Sequence, residues 1–396
     1  MKTIALAAFF CGALLSPVLG NEHLSESALS TISEPIAPRN IHVLLEKDAT
    51  EALLEVKGPY YIINPHDNSR VGSGLLGKRF LVHELENGLK WGEEFLVHQI
   101  VIKPRSEETA IFVNGVQYSG AIAIYGVSGM INIVNEVDIE GYVKSLLAPQ
   151  LSSCSEPEVM SALAILTRTD AYHRTTRNSG SFWHVSADEV GYLGSALIVD
   201  NSPMQKAIDS TKHLILVHAE QGKNLPFATA WTENSAGKTA AYYSLFRKKG
   251  FGPDKGVPAP HAQLVREETK WTYQIPKRNL ALALDVPQIK TIDLFVDANS
   301  NKVYGVRVKD GLASYDFDFF TLQNCLGENH LLSSDFTISY KDENVVFTGY
   351  GKGHGVGLCL YSAEALAQNG ENAVKILSKF FPETYLYNLN AQPTRR

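Results

Sequence analysis

The stretch EGYVKSLLAPQLSSCSEPEVMSALAILTRTDAYH, residues 140–173, decides how the chain reads. Its apolar residues recur at helical rather than strand spacing. Tyr142, Leu146 and Leu147 share one face of a short helix. That helix ends before Pro149, because the residue ahead of a proline is pushed away from helical backbone. A longer helix is predicted from Glu156 to about Arg174. Val159, Ala162, Leu163, Leu166 and Ala171 form its apolar stripe. Ser155 and Glu158 stand at capping-box spacing at its start.

Upstream the pattern is different. IHVLLE (41–46), YYII (60–63), RFLVHEL (79–85), EFLVHQIVI (94–102), AIFVNG (110–115), GVQYSGAIAIYG (115–126) and GMINIVNEV (129–137) are short runs rich in β-formers. Clusters of Gly, Asn, Asp and Lys separate them, which predicts a mostly antiparallel sheet over 41–137. Downstream, strands are predicted at 213–218, 227–232, 292–296, 303–308, 314–320 and 336–340. The Gly- and Pro-rich segment 247–263 reads as a long surface loop. Two helices close the chain, one over 362–369 with Gly370 as its C-cap, the other over 372–380. The fold class is α+β: a β-rich N-terminal region, 41–137, followed by a mixed region, 138–390.

The extreme N-terminus is of another kind. Lys2, the apolar run Ile4–Leu15, Pro17 and Val18-Leu19-Gly20 have the layout of a secretory signal peptide over residues 1–20. A short membrane anchor is the alternative. Residues 21–40 are polar with two prolines and read as a flexible leader. The expected location is outside the cytoplasm, in the periplasm or cell envelope. Of the whole chain of 396 residues, 44% are hydrophobic and 20% charged, which is ordinary globular composition. A net charge of −6 argues against nucleic acid as partner, since phosphate binding needs a basic face. Outside the signal, Cys154, Cys325 and Cys359 are far apart and odd in number, so they give neither a disulfide framework nor zinc spacing.

The most specific chemical motif is Gly349-Tyr350-Gly351-Lys352-Gly353-His354-Gly355-Val356-Gly357-Leu358. Glycine permits positive φ and close backbone approach, and histidine offers two ring nitrogens for hydrogen bonding or proton transfer. The motif has no nucleotide-loop spacing. A tight turn with an incidental histidine is the plain alternative. Cys359 could pair with His354 as a nucleophile or be a small buried thiol. Asp188 with Glu189, and Asp138 with Glu140, read as solvated acidic pairs.

These segments together resemble the stage II sporulation protein D (SpoIID) family, also called the LytB amidase-enhancer family. Tyr142 matches its leading tyrosine, Glu158 its helix-starting glutamate, and Arg168-Thr169 with Ala171 its Arg-Thr-Tyr-Ala end. Residues 351–363 resemble its closing glycine-histidine motif. Val190 to Gly194, with Tyr192, resembles its Gln-x-Tyr-x-Gly, and Ser235 to Thr239 its Cys-Gly-Gly-x-Thr. The resemblance covers roughly residues 40–390.

It implies a bacterial cell-wall protein that binds and remodels peptidoglycan glycan strands as a lytic transglycosylase. In that reaction one general acid protonates the oxygen between MurNAc and GlcNAc, and the sugar's C6 hydroxyl closes onto C1. The alternative is a non-catalytic binder that recruits or activates an amidase or another division hydrolase. Implied site residues are Gln150 and His354 for catalysis, and Tyr142, Arg168, Thr169, Tyr192, Gly351, Gly353, Gly355 and Gly357 for substrate. Gln150 occupies the position of the family's catalytic glutamate. A carboxamide there holds a hydrogen bond but delivers no proton. Glu140, Glu156 and Glu158 are the nearest other carboxylates. Ser235 and Thr232 stand where some relatives have a cysteine and a histidine at zinc, so neither metal nor cofactor is implied.

Overall fold

The computed structural model describes residues 40–149, 154–195, 197–220, 223–247 and 255–390. The signal peptide, all but the last residue of the leader, and Gln150 lie outside the described residues. Twelve strands come first: β1 (Asn40–Ala49), β2 (Ala52–Lys57), β3 (Tyr60–Ile63), β4 (Arg70–Gly74), β5 (Lys78–Leu85), β6 (Gly88–Trp91), β7 (Glu93–Phe95), β8 (Gln99–Pro104), β9 (Ala110–Val113), β10 (Val116–Tyr118), β11 (Ala121–Val127) and β12 (Met130–Asp138). They form two antiparallel sheets, β1-β12-β11-β8-β3-β4 and β10-β9-β2-β5-β6-β7. Alternation sets the inner faces: β2 buries Ala52, Leu54 and Val56 and leaves the residues between them less covered. Leu54, Val82, Trp91, Ile102, Ile124 and Ile133 meet in the first core. Each buried aliphatic there contributes about 1.5–3 kcal/mol relative to exposure.

Asp138 switches the chain from strand to helix. It ends β12, and its carboxylate accepts the Gly141 N–H at 3.0 Å as the N-cap of α1 (Ile139–Leu147). Next come α2 (Pro157–Arg177), β13 (Val185–Ser186), α3 (Ala187–Val190), α4 (Pro203–Ser210), β14 (Leu214–Glu220), β15 (Lys223–Leu225), β16 (Trp231–Thr232), α5 (Tyr242–Phe246) and α6 (Pro260–Leu264). β13 joins the first sheet by pairing in parallel with β1. Helix α2 is buried on most sides, at Leu163, Ala164, Ile165 and Leu166 in succession. It is therefore a central helix, where the sequence pattern predicts one apolar stripe.

The remaining elements are β17 (Lys270–Pro276), α7 (Lys277–Ala283), β18 (Thr291–Val296), β19 (Val303–Lys309), β20 (Ser314–Asp318), α8 (Phe319–Leu326), β21 (Phe336–Lys341), β22 (Asn344–Tyr350), β23 (Leu358–Cys359), α9 (Leu360–Gln368), α10 (Ala373–Phe380) and β24 (Thr384–Asn388). A second core gathers residues of α1, α2, α4, β14, α9 and α10, among them Tyr142, Leu163, Ile208, Ile215 and Leu377. A third lies between the sheets β17-β22-β21 and β18-β19-β20, with Trp271, Leu280, Val306, Phe319 and Phe347. Among the described residues no helix is long and apolar enough to cross a membrane.

Several local expectations change. The Ser155–Glu158 capping box does not form. Glu156 is the N-cap of α2 without a side-chain bond, Ser155 bonds Glu364, and Glu158 accepts the Ala373 N–H at 2.7 Å. A tertiary acceptor and a tertiary donor outcompete the local pair. The strand predicted at 227–232 shrinks to Trp231–Thr232. The strand predicted at 314–320 stops at Asp318, which caps α8 through the Thr321 N–H. Part of the predicted 247–263 loop is α6. Asp138 and Glu140 are a cap and an ion-pair partner, not simply solvated charges.

Candidate functional site

The glycine-histidine segment joins β22 to β23. Gly351, Gly353, Gly355 and Gly357 all take positive φ, +73, +94, +76 and +77°. A Cβ at Gly353 would stand 2.5 Å from Thr232 Oγ1, and one at Gly357 would stand 2.0 Å from the Ala230 carbonyl. No other residue type fits at Gly357. The glycines let the segment lie directly on residues 230–240. Asn234 and Lys352 exchange both backbone bonds at 2.9 Å, and the Ala240 N–H donates to the Gly355 carbonyl at 2.8 Å. The Gly353 N–H donates to Leu332 O at 2.8 Å, and the Gly355 N–H to Thr232 Oγ1 at 3.0 Å. Much of the segment's backbone polarity is thus satisfied by protein.

His354 Nδ1 accepts the Val356 N–H at 3.1 Å, so the neutral ring carries its proton on Nε2. The rings of Phe246 and Phe320 lie 5.4 and 6.2 Å away. Burial holds the imidazole pKa down to about 4, against a smaller upward pull from its hydrogen bond to the Trp231 backbone. His354 is therefore uncharged near neutrality. Its acceptor nitrogen is taken by Val356 and its N–H by the Trp231 backbone, so the ring is neither a cation nor a free hydrogen-bonding group.

Behind the segment sits a buried ion network. Lys302 Nζ donates to Ser235 O and to Asp335 Oδ2, both at 2.7 Å. Arg266 grips the same carboxylate at 2.8 and 2.9 Å and the Ala236 carbonyl at 2.7 Å. Burial lowers the Lys302 pKa, and Asp335 opposes that shift. Cys359 is fully buried, and its Sγ accepts the Ser235 N–H at 3.3 Å. This is the setting of a buried thiol.

The residues predicted on α1 and α2 lie inward. Arg168 is fully buried and bonds Glu140 twice, Nε to Oε1 and Nη2 to Oε2, both at 2.8 Å. Thr169 Oγ1 accepts the Leu216 N–H at 2.8 Å and so fixes β14 on α2. Tyr192 stacks on Tyr142 at 5.6 Å and donates its hydroxyl to Asn135 at 2.7 Å. Tyr142, Arg168, Thr169 and Tyr192 thus belong to one buried neighbourhood, separate from the immediate surroundings of the glycine segment.

Tyr242 connects the two. On α5 it stacks on Phe246 at 4.4 Å, and Phe246 faces His354. Tyr242 also borders a hollow of about 360 Å³, open mouth included, with Phe227, Lys255, Val356, Gly357 and Phe381. Burial pushes the Tyr242 pKa up to about 12, with further upward pressure from Asp170 and Glu189 and an opposing pull from Arg174. The same three charges act on Tyr142, whose pKa burial raises most. Asp170, Arg174 and Glu189 thus act on both Tyr142 and Tyr242, and Tyr242 is linked through Phe246 to His354.

Sequence reasoning missed Asp170, Arg174 and Tyr242. The i,i+4 spacing of Asp170 and Arg174 was a visible signal for a pair; Tyr242 carried none. Gln150 lies outside the described residues.

Comparison with known proteins gives a consistent picture. Residues 127–218, from the end of β11 through α1 and α2 to β14, match the family model SpoIID, stage II sporulation protein. An uncharacterised protein of Chlamydia pneumoniae is 34% identical over 225 residues, which is 56% of this chain and 80% of that one. An uncharacterised protein of Chlamydia muridarum is 34% identical over 226 residues, 56% of this chain and 76% of that one. A third, from Brachyspira hyodysenteriae, is 25% identical over 341 residues, 83% and 87% of the two chains.

Proposed function

The chain belongs to the SpoIID (stage II sporulation protein) family, a membership that supports a cell-wall-related role, and on that premise we propose that it binds the glycan strands of peptidoglycan. In this proposal it is an exported envelope protein whose partners are those strands and an amidase or division hydrolase that it brings to them. The observation that carries the proposal is the aromatic run Tyr242-Phe246-His354 beside a hollow that Tyr242 lines with Phe227, Lys255, Val356 and Phe381. It brings aromatic faces, a hydroxyl and a charged group to one concave place, the mixture of an apolar lining with a few polar groups that suits a bound ligand.

Binding is preferred to bond cleavage because of the residue at the family's acid position and two of the carboxylates near it in sequence. The Gln150 carboxamide cannot protonate a glycosidic oxygen. Both oxygens of Glu140 are held by Arg168, and Glu158 is turned to the Ala373 amide.

The test uses purified mature protein with intact sacculi and with peptide-free glycan strands. The expected result is retention on both, with no new 1,6-anhydro-MurNAc ends by mass spectrometry, and appearance of such ends with Gln150→Glu. Failure to bind either material overturns the proposal. Anhydro ends made by the unaltered protein replace it with the lytic transglycosylase.

A further inference from the structure

Among the described residues, the buried polar atoms without a hydrogen-bond partner include the Tyr142 hydroxyl and Asp170 Oδ1. Tyr142 is 1% exposed. Buried polar groups are nearly always satisfied, and an orphan points to a missing water, ion or ligand. The helices that carry them, α1 and α2, pack against each other in one core, and Asp170 is the foremost charge acting on the Tyr142 phenol. The other Asp170 oxygen is occupied by Arg174 Nε at 2.5 Å, and Arg174 Nη1 reaches Glu189 Oε1 at 3.0 Å. Exposure of the side chains rises from 16% at Asp170 through 20% at Arg174 to 46% at Glu189, so the cluster opens to solvent at that end.

We infer that Asp170 and Tyr142 form the hydroxyl-recognition point of the glycan site, a role that rests on the function proposed above. A carboxylate oxygen without a donor and a phenol without a partner are complementary to one group: a hydroxyl that donates to Asp170 and accepts from Tyr142. Two carboxylates and one guanidinium leave the cluster with a net negative charge. At this point it therefore favours a neutral sugar hydroxyl over an anionic group. Asp170 stands in the Arg168-Thr169-Asp170-Ala171 run where the resembled motif has tyrosine, so the carboxylate is a feature of this chain.

The experiment compares the full mature chain with Asp170→Asn and Tyr142→Phe. Probes are peptide-free glycan strands and the neutral N-acetylglucosamine tetramer, with affinity and thermal unfolding both measured. Tyr142→Phe removes a hydroxyl that bonds nothing among the described residues, so its melting temperature is expected to hold or rise. Its affinity for both probes is expected to fall at least tenfold, as is that of Asp170→Asn. Unchanged affinity in both variants overturns the assignment and leaves the orphans to a trapped water, while strand binding itself survives. Tetramer binding that depends on Asp170, without binding to wall strands, keeps this site and removes the cell-wall function. No binding of either probe overturns both.

Discussion

Arg168 and Glu140 form a two-point ion pair at the junction of α1 and α2, with the guanidinium wholly buried and both bonds at 2.8 Å. Arg168 Nη1 also donates to Leu214 O at 3.0 Å, so one side chain ties two helices and β14 together. Removing the carboxylate strands a buried cation, which typically costs about 3–5 kcal/mol. Glu140→Ala is expected to lower the urea midpoint accordingly. A midpoint within experimental error of the parent would show that the pair does not hold the helices.

His354 gives a pH dependence with a definite sign. Its folded pKa is depressed to about 4 by burial, below the ~6.5 of an unfolded chain. Between these values the unfolded state binds more protons, so stability is present above about pH 6.5 and is lost as pH falls toward 4. The loss is at most about 3 kcal/mol, and partial solvent contact at the residue makes it smaller. Proton titration by NMR should find an imidazole that stays neutral at pH 6. A midpoint near 6.5 would remove this account of the ring.

Gly357 and Gly370 form a matched pair for substitution. Both have positive φ, +77 and +85°. An alanine at 357 would also drive its Cβ to 2.0 Å from the Ala230 carbonyl, whereas nothing stands near a Cβ at 370. Gly370→Ala is expected to cost about 1–2 kcal/mol for backbone conformation alone. Gly357→Ala should cost more and separate β16 from β23. Equal melting temperatures for the two variants would contradict the close packing described.

Asp335 holds two cations, Lys302 and Arg266, behind the glycine segment. Asp335→Ala leaves both without their carboxylate and should destabilise by about 3–5 kcal/mol. The double change Lys302→Met with Asp335→Leu removes the fully buried cation with its partner, leaves only the more exposed Arg266 unpaired, and should recover part of that loss. Denaturant unfolding of the three proteins decides it, and a double variant no better than Asp335→Ala would refute the ion-pair account.

The sequence revealed those parts of the fold and site whose signal is local. The β-forming runs YYII and AIFVNG announce the strands β3 and β9. The five alternating glycines announce a segment pressed against something, though not against what. Lys302 and Asp335 were unreadable, because those residue types usually lie in water and their partners are distant in sequence. Tyr242 was unreadable for a related reason: its importance comes from standing between two neighbourhoods, and no periodicity encodes that. Ser155 and Glu158 show the opposite error, a local signature overridden by Glu364 and by the Ala373 amide. Asp170 and Arg174 were legible as a pair, but an i,i+4 pair is by default a solvent-facing one.

The parallel pairing of Trp231–Thr232 with Leu358–Cys359 bears on the order of events during folding. Contacts such as Gly355 to Thr232 close an interval of 123 residues, and nearly all of the third core lies inside it. Closing so long a loop is entropically unfavourable until the intervening chain has become compact. The imidazole environment therefore matures late, after most secondary structure has formed. In refolding experiments the signal from His354 should lag behind far-ultraviolet circular dichroism.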